Sequence, residues 1–228
     1  MKNRSLAVTS PQGLDGNYHF MATPHILSRT LLAAAFAALS ACASAPSQST
    51  TTQSTTRDDS SAAYAFNDEL YLCNGVSISN APAADSYRKV IGYRATARVN
   101  GVTLARAPVD ACISSAYGPR RGGAGAFHDG LDLYTGSPRP AHAGASGVVE
   151  FAGVRRGYGN VVRISHGNGV ATRYAHLSSI SPRIKPGARV AAGEIIGQTG
   201  RTGNATAVHL HYEILVGGRA IDPLRAGD

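Results

Sequence analysis

Two histidines and a separate His/Asp pair are the residues of this sequence best suited to metal chemistry. His209 and His211 are two residues apart in a strand-like segment, so we expect their side chains on one face. His128 and Asp132 stand four residues apart around Gly130, which permits a sharp bend. Two histidines and one carboxylate are a standard donor set for an open catalytic zinc site, with water in the fourth position. Each of the two motifs alone is weak evidence for a metal site, because His-x-His in a strand is more often structural and His-x-x-x-Asp arises readily by chance.

Five short motifs, taken together and in order, are more specific than any one of them. The segments are HDGLD at residues 128–132, GYGN at 157–160, YAHL at 174–177, GQTG at 197–200 and HLHYE at 209–213. This ordered set resembles the lysostaphin-type (LytM-like) zinc metallopeptidases, which cut peptidoglycan peptides. The resemblance covers residues 113–223, about half of the chain.

The resemblance implies a role for five side chains. His128, Asp132 and His211 would ligate zinc, and His176 and His209 would flank the water that zinc activates. Zinc lowers the pKa of its water to about 7, and a free imidazole can then accept or return a proton. We expect His209 to be the general base and His176 to stabilise the transition state, with the reverse assignment left open. The implied reaction is hydrolysis of cross-links or stem peptides of bacterial peptidoglycan during cell-wall remodelling.

A second function is compatible with the same resemblance. Catalytically silent LytM-like lipoproteins bind murein or activate another cell-wall hydrolase, and a regulatory envelope protein would then be the partner. Such domains usually lack one or more zinc ligands. This sequence keeps all three, together with both partner histidines, which favours the enzyme.

Short strands must position these residues. Gly reaches 26 of 228 residues, charged residues are only 16%, and no segment keeps an apolar helical period, which argues against a coiled coil or helical bundle. Short connections favour antiparallel pairing. Asn100-Gly101, between alternating segments, predicts a hairpin. The expected fold is mainly β, a LytM-like antiparallel sheet whose open groove holds zinc. His166 is expected to be structural, and His142 to lie in a loop.

Composition divides the chain into four parts. We expect a signal peptide with a lipobox at 1–42, a Ser/Thr-rich disordered linker at 43–63, a small hairpin-containing lead-in segment at 64–112 and the metallopeptidase domain at 113–228. The linker has too few apolar residues to offset the entropy of ordering. Met21 is a plausible true start, because the residues before it have no signal character.

The first part carries the predicted export signal. Residues 29–42 begin with a positive charge, continue as a short apolar run and end in small residues, and the run is too short to span a bilayer. The final Leu39-Ser40-Ala41-Cys42 resembles a bacterial lipobox, which predicts lipidation of Cys42, an outer-membrane anchor and a periplasmic location. The alternative is an ordinary signal peptide in which Cys42 is incidental.

The cysteine count and the net charge fit export. In an oxidising compartment Cys73 and Cys112 would pair as a disulfide, and the alternative is two buried free thiols. The formal net charge of +8 suits an anionic polymer such as the cell wall. Nucleic acid is not expected as a partner, because export removes it and no basic run is interleaved with aromatic residues.

Overall fold

The computed structural model describes residues 66–120 and 126–228. The predicted signal peptide, the lipobox with Cys42 and the linker therefore lie outside the described residues. Within those two ranges the chain forms strands and no helix. The strands are β1 (Tyr71–Leu72), β2 (Thr96–Val99), β3 (Val102–Ala105), β4 (Cys112–Ser115), β5 (Gly118–Pro119), β6 (Phe127–His128), β7 (Leu131–Tyr134), β8 (Pro140–His142), β9 (Gly147–Arg155), β10 (Gly159–Gly167), β11 (Val170–Leu177), β12 (Ser179–Ile180), β13 (Arg189–Val190), β14 (Ile195–Gln198), β15 (His209–Val216) and β16 (Arg219–Ile221).

A nine-stranded sheet forms the body of the molecule. Its strand order is β1-β4-β7-β15-β11-β10-β9-β13, and β16 pairs with the far end of β15. The neighbours pair antiparallel except β1 and β4, which run parallel. The mainly β, antiparallel fold expected from the sequence is confirmed, with this one parallel pair as an addition.

One face of the sheet is packed into the hydrophobic core. In β15, Leu210, Tyr212 and Ile214 are fully buried on this face, as the two-residue period of a strand requires. The β2–β3 hairpin and a small sheet of order β12-β14-β8 supply further core residues, among them Leu104 and Ile196. Burying each such side chain contributes about 1.5–3 kcal/mol. The core therefore holds β15 firmly while its alternate residues point to the other face.

The predicted hairpin is present between β2 and β3. Asn100 and Gly101 adopt φ angles of 47° and 85°, both in the left-handed region that a two-residue primed turn requires. The hairpin packs against the core face of the main sheet, where the Tyr212 hydroxyl donates to the Ala105 carbonyl at 2.8 Å.

The lead-in segment is built into the same sheet. β1 pairs with β4, and Cys73 is joined to Cys112 by a disulfide. Arg106, which is 4% exposed, donates to the carbonyl of Ala226 at 2.9 Å and so holds the C-terminal end of the chain. The expected boundary after residue 112 falls inside β4. Across the described ranges, no helix has the length and apolar character needed to cross a membrane.

Candidate metal centre and its groove

Three strands bring the predicted ligands together. Asp132 in β7 stands directly opposite His211 in β15, so strand register places a carboxylate beside an imidazole. His128 ends the two-residue strand β6, which is held in place by pairing with β5, where Gly118 lies opposite His128. Strand pairing therefore brings His128 and His211 together, although they are 83 residues apart in the sequence.

The three donor atoms form a compact triangle. Nε2 of His128 lies 3.0 Å from Oδ1 of Asp132 and 3.1 Å from Nδ1 of His211, and the remaining side measures 2.8 Å. Ligand atoms about 2.0–2.1 Å from a tetrahedral zinc stand roughly 3.3 Å apart. The cluster therefore needs only a small expansion to hold such an ion.

The outward-facing atoms of both ligand histidines have acceptors. Nδ1 of His128 donates to the carbonyl of Ala116 at 2.8 Å, and Nε2 of His211 faces Oε1 of Glu213 at 3.0 Å. Such contacts fix the tautomer and orient the opposite nitrogen toward a metal. Glu213 is fully buried and receives two hydrogen bonds from Arg173, at 2.7 and 2.9 Å.

Hydrogen bonds between carboxylates and imidazoles shift the pKa values of the cluster. Burial alone would raise the pKa of Asp132, but hydrogen bonds from His128 and His211 hold that pKa well below its usual value. Burial would lower the pKa of His211, yet its contacts with Asp132 and Glu213 raise that pKa to about 9. Arg120 donates to the other oxygen of Asp132 at 3.2 Å. Asp132 is therefore held in the ionised form, which is the form that ligates a metal.

Gly130 allows the bend between His128 and Asp132 to lie against β15. A Cβ atom at this position would stand 2.5 Å from the Tyr212 carbonyl oxygen and 2.8 Å from Cε1 of His211. Any larger residue would push the bend away from β15. The sharp bend expected at Gly130 thus has a specific cause, the close approach of two backbones.

Two further histidines flank the cluster, each with one nitrogen fixed by the backbone. Nδ1 of His209 donates to the carbonyl of Ala207, and Nδ1 of His176 donates to the carbonyl of Thr202, both at 2.8 Å. A carbonyl only accepts, so in the neutral rings the proton is on Nδ1 and Nε2 is free. The ring centroids are 4.8 Å apart, and Nε2 of His209 lies 3.7 Å from Asp132.

A bulge brings His176 to this face. Tyr174 and Leu177 are both fully buried in the core, although they are three positions apart in the chain, so the two-residue alternation of β11 is broken between them. His176 supplies the break with a φ of 60°, and the register with β10 shifts at the same point. Burial lowers the pKa of His176 to about 4, although the hydrogen bond to the Thr202 carbonyl opposes the shift.

The five histidine and aspartate side chains lie in an open groove of about 870 Å³. Tyr158 and the exposed Asp129 also line it. His166 lies outside the groove lining, as its expected structural role requires. His142 was expected in a loop and instead lies in β8, buried and in contact with the Gly193 carbonyl at 2.8 Å.

Sequence reasoning assigned no role to Glu213 and did not single out Arg173. Glu213 is the last residue of the HLHYE motif, whose predicted roles belong to its two histidines. Arg173 stands opposite Glu213 in the pairing of β11 with β15, and its guanidinium also donates to the Tyr158 hydroxyl at 2.7 Å. The alternation of β15 could have placed Glu213 on the face of His211, but no signal in the sequence pairs it with Arg173.

This fold and site define an all-β domain with a mononuclear donor set of the kind used by metal-dependent hydrolases. Residues 126–223 match the family model described as Peptidase family M23. The catalytic domain of lysostaphin from Staphylococcus simulans is 36% identical, with coverage of 47% of this chain and 85% of that one, at a TM-score of 0.44. The chain belongs to peptidase family M23, which confirms the resemblance to lysostaphin- and LytM-like metallopeptidases.

Two curated relatives are longer proteins. DD-carboxypeptidase/endopeptidase Mpg of Neisseria meningitidis serogroup B is 44% identical over 98 residues, which are 43% of this chain and 22% of Mpg. Peptidoglycan DD-endopeptidase ShyA of Vibrio cholerae is 40% identical over 137 residues, which are 56% of this chain and 31% of ShyA. The chain thus spans less than a third of the length of either relative.

Proposed function

We propose that this chain is a zinc-dependent endopeptidase that hydrolyses peptide cross-links or stem peptides of bacterial peptidoglycan during cell-wall remodelling. The observation that carries the proposal is the triangle of His128, Asp132 and His211 donor atoms beside two histidines whose Nε2 atoms are free. The name of peptidoglycan DD-endopeptidase ShyA supports the choice of substrate, and the name of DD-carboxypeptidase/endopeptidase Mpg supports the reaction type.

Zinc fits the donor set better than a hard cation does. Two imidazole nitrogens and one carboxylate oxygen, each oriented by an outer hydrogen bond, are ligands that zinc prefers, whereas Ca²⁺ and Mg²⁺ take oxygen ligands. His128, Asp132 and His211 would hold the ion. When bound, zinc supplies a Lewis acid and lowers the pKa of a water molecule to about 7.

We assign the general base to His209, whose Nε2 lies 3.7 Å from the Asp132 carboxylate. Its Nδ1 proton is committed to the Ala207 carbonyl, so Nε2 can take a proton from the attacking water. His176, with a pKa of about 4, holds no proton on Nε2 in the free groove at neutral pH. Negative charge that develops on the substrate carbonyl oxygen raises the proton affinity of a neighbouring imidazole. His176 can then take a proton from solvent onto Nε2, and the Nε2–H that forms donates to that oxygen and stabilises the transition state.

The test is digestion of purified muropeptides by the zinc-loaded protein, with and without a chelator, read by mass spectrometry. We expect one zinc per chain and cleavage that the chelator abolishes. His211→Ala should lose both zinc and cleavage, whereas His209→Ala should keep zinc and lose about 10²-fold or more in rate. His166→Gln, outside the groove, is the matched control and should retain both.

The alternative of a silent murein-binding or hydrolase-activating domain makes the opposite prediction. Intact muropeptides after incubation with the zinc-loaded protein would exclude the endopeptidase and favour that alternative. The complete donor set of His128, Asp132 and His211 supports the enzyme, because silent domains of this kind usually lack a ligand.

Export and anchoring form a separate part of the proposal. The apolar run that ends at Cys42 supports a periplasmic protein held at the outer membrane by a lipid on that residue. We expect Cys42→Ser to move the protein from the membrane fraction to the soluble periplasmic fraction. A Cys42→Ser protein that still fractionates with membranes would contradict lipidation.

A further inference from the structure

One rim of the groove comes from a part of the chain that precedes the match to the peptidase family. Cys73, Asn74 and Val76 line the groove, whereas the match begins at residue 126. They belong to the rim loop, residues 73–80, which follows β1. Tyr158, which also lines the groove, directly precedes β10, and β10 lies on the other side of β7 and β15 from β1 in the main sheet. A peptide lying in the groove therefore passes between the peptidase domain and the rim loop.

The rim loop is tied down where it leaves β1. Cys73 is bonded to Cys112 through the disulfide, and its backbone N–H donates to the carbonyl of Ile113 at 2.9 Å. Arg88 reaches across and donates to the carbonyls of Cys73 at 2.6 Å and Val76 at 3.5 Å. These contacts fix the backbone that carries Asn74 and Val76.

The far end of the rim loop is tied as well. The side-chain amide of Asn80 donates to the carbonyl of Pro119 at 2.5 Å, in the short strand β5 that holds His128. A loop fixed at both ends loses little conformational entropy when a ligand binds. The rim loop and the metal ligands also share one support, so their spacing is set by the fold.

The chemistry of the rim suits a peptide backbone with small side chains. The Asn74 amide offers a donor and an acceptor, and its side chain makes no hydrogen bond within residues 66–120 and 126–228. Val76 is 42% exposed and lines the groove, so its side chain is available to a methyl group of a ligand. Neither residue is charged. Charged groups of a ligand would therefore pair with Asp129 and Arg120, which also line the groove, and not with this rim.

We propose that Asn74 and Val76 form a substrate-positioning wall, which holds the peptide of a peptidoglycan cross-link in extended form against the metal site. This inference rests on the proposed function, since it names the part of the chain that selects and orients the same substrate. Asn74 hydrogen-bonds the peptide backbone, and Val76 contacts an alanine-sized side chain.

The test measures binding rather than turnover, so that it does not depend on catalysis. All proteins are the full, zinc-loaded chain carrying His209→Ala, and the probe is a soluble cross-linked muropeptide dimer followed by calorimetry. We expect Val76→Asp and Asn74→Ala each to raise the dissociation constant for the dimer about tenfold. Val154→Asp is the matched control, because Val154 is 76% exposed and lies outside the groove lining. Its affinity should be unchanged.

A second readout uses the chain with His209 intact. A positioning wall predicts that KM rises in Asn74→Ala and in the milder Val76→Ala while kcat stays within about twofold, because the contacts hold the ground state and transition state alike. Unfolding temperatures equal to that of the parent protein show that the variants are folded. Loss of kcat at unchanged KM would overturn the positioning role.

The outcomes separate this inference from the proposed function. Dimer binding that is unaffected by both rim variants overturns the wall and leaves the enzyme standing. Binding that depends on the rim in a protein that never cleaves supports the wall and excludes the endopeptidase. A parent protein that does not bind the dimer at all overturns both.

Discussion

Glu213 is the side chain that connects the candidate metal centre to the rest of the sheet. It is fully buried, faces Nε2 of His211 and accepts two hydrogen bonds from Arg173. A carboxylate in this position makes the imidazole a stronger ligand and fixes which nitrogen faces the metal. Burying the charge of Glu213 is tolerable because Arg173 compensates it. Burial alone would raise the pKa of Glu213, but the contacts with His211 and Arg173 hold that pKa below its usual value.

Glu213→Gln tests that connection. The amide keeps the size of the side chain but removes the charge, so we expect zinc affinity to fall about 10–100-fold. Competition with a chromogenic chelator measures the affinity. Glu150→Gln is the control, since Glu150 is 41% exposed and pairs with Arg163 away from the ligands. Equal affinities in the two variants would mean that Glu213 only supports packing.

His166 should make the stability of the domain depend on pH. Burial lowers its pKa, against smaller opposing effects of the Ser146 carbonyl and of Glu150, and its Nε2 lies 2.7 Å from the Thr172 hydroxyl. The unfolded chain then binds a proton first as the pH falls below about 6.5, so the stabilisation is present above that pH and is lost below it.

Urea unfolding of the metal-free protein at pH 7.5 and 5.0 checks the expectation for His166. The loss of unfolding free energy between the two pH values should be smaller in His166→Gln than in the parent. Since every other titrating group is common to both proteins, the difference belongs to His166. An equal loss in the two proteins would contradict a buried neutral imidazole.

At the scale of elements, the strand period could be predicted from the sequence and the strand register could not. The placement of His209 and His211 on one face follows from a period of two, and the structure has both in β15 beside the groove. The pairing of His211 with Asp132 depends on which residues of β7 and β15 stand opposite each other. That register is set by packing between distant segments, which a local pattern does not contain.

The bulge in β11 is a second feature beyond local prediction. His176 reaches the groove because it takes a left-handed φ, a conformation that sequence pattern assigns readily to glycine and seldom to histidine. The resemblance to known metallopeptidases indicated His176, while a strict alternation from the buried Tyr174 would have put it in the core. Residues in such sparsely populated conformations concentrate at functional sites.

The disulfide between Cys73 and Cys112 ties β1 and the rim loop to β4. It closes a loop with a sequence separation of 39 residues, which on the chain-entropy view stabilises the fold by roughly 3–4 kcal/mol. We expect the double variant Cys73→Ser/Cys112→Ser to lose about that much unfolding free energy, measured by urea denaturation. A reducing agent should lower the stability of the parent to the same level and leave the double variant unchanged. A stable, reductant-insensitive parent would argue against the bond.

At the scale of the whole molecule, the candidate metal site joins segments that the chain order keeps apart. The ligands come from β6, β7 and β15, and the flanking His176 comes from β11. An ion held by all three ligands would therefore link the β5–β6 pair to β7 and β15, two interior strands of the main sheet. Because unfolding separates these strands, a bound metal favours the folded chain alone.

Metal removal should consequently lower the unfolding temperature of the entire domain. At a free zinc concentration about 1,000 times the dissociation constant, binding to the folded state contributes about 4 kcal/mol. For a domain of this size that corresponds to roughly 8–16 °C. Calorimetric scans with zinc and with excess chelator measure the difference. His211→Ala should abolish it, because two remaining donors bind weakly, and His166→Gln should preserve it. A chelator effect that survives in His211→Ala would place the metal elsewhere in the protein.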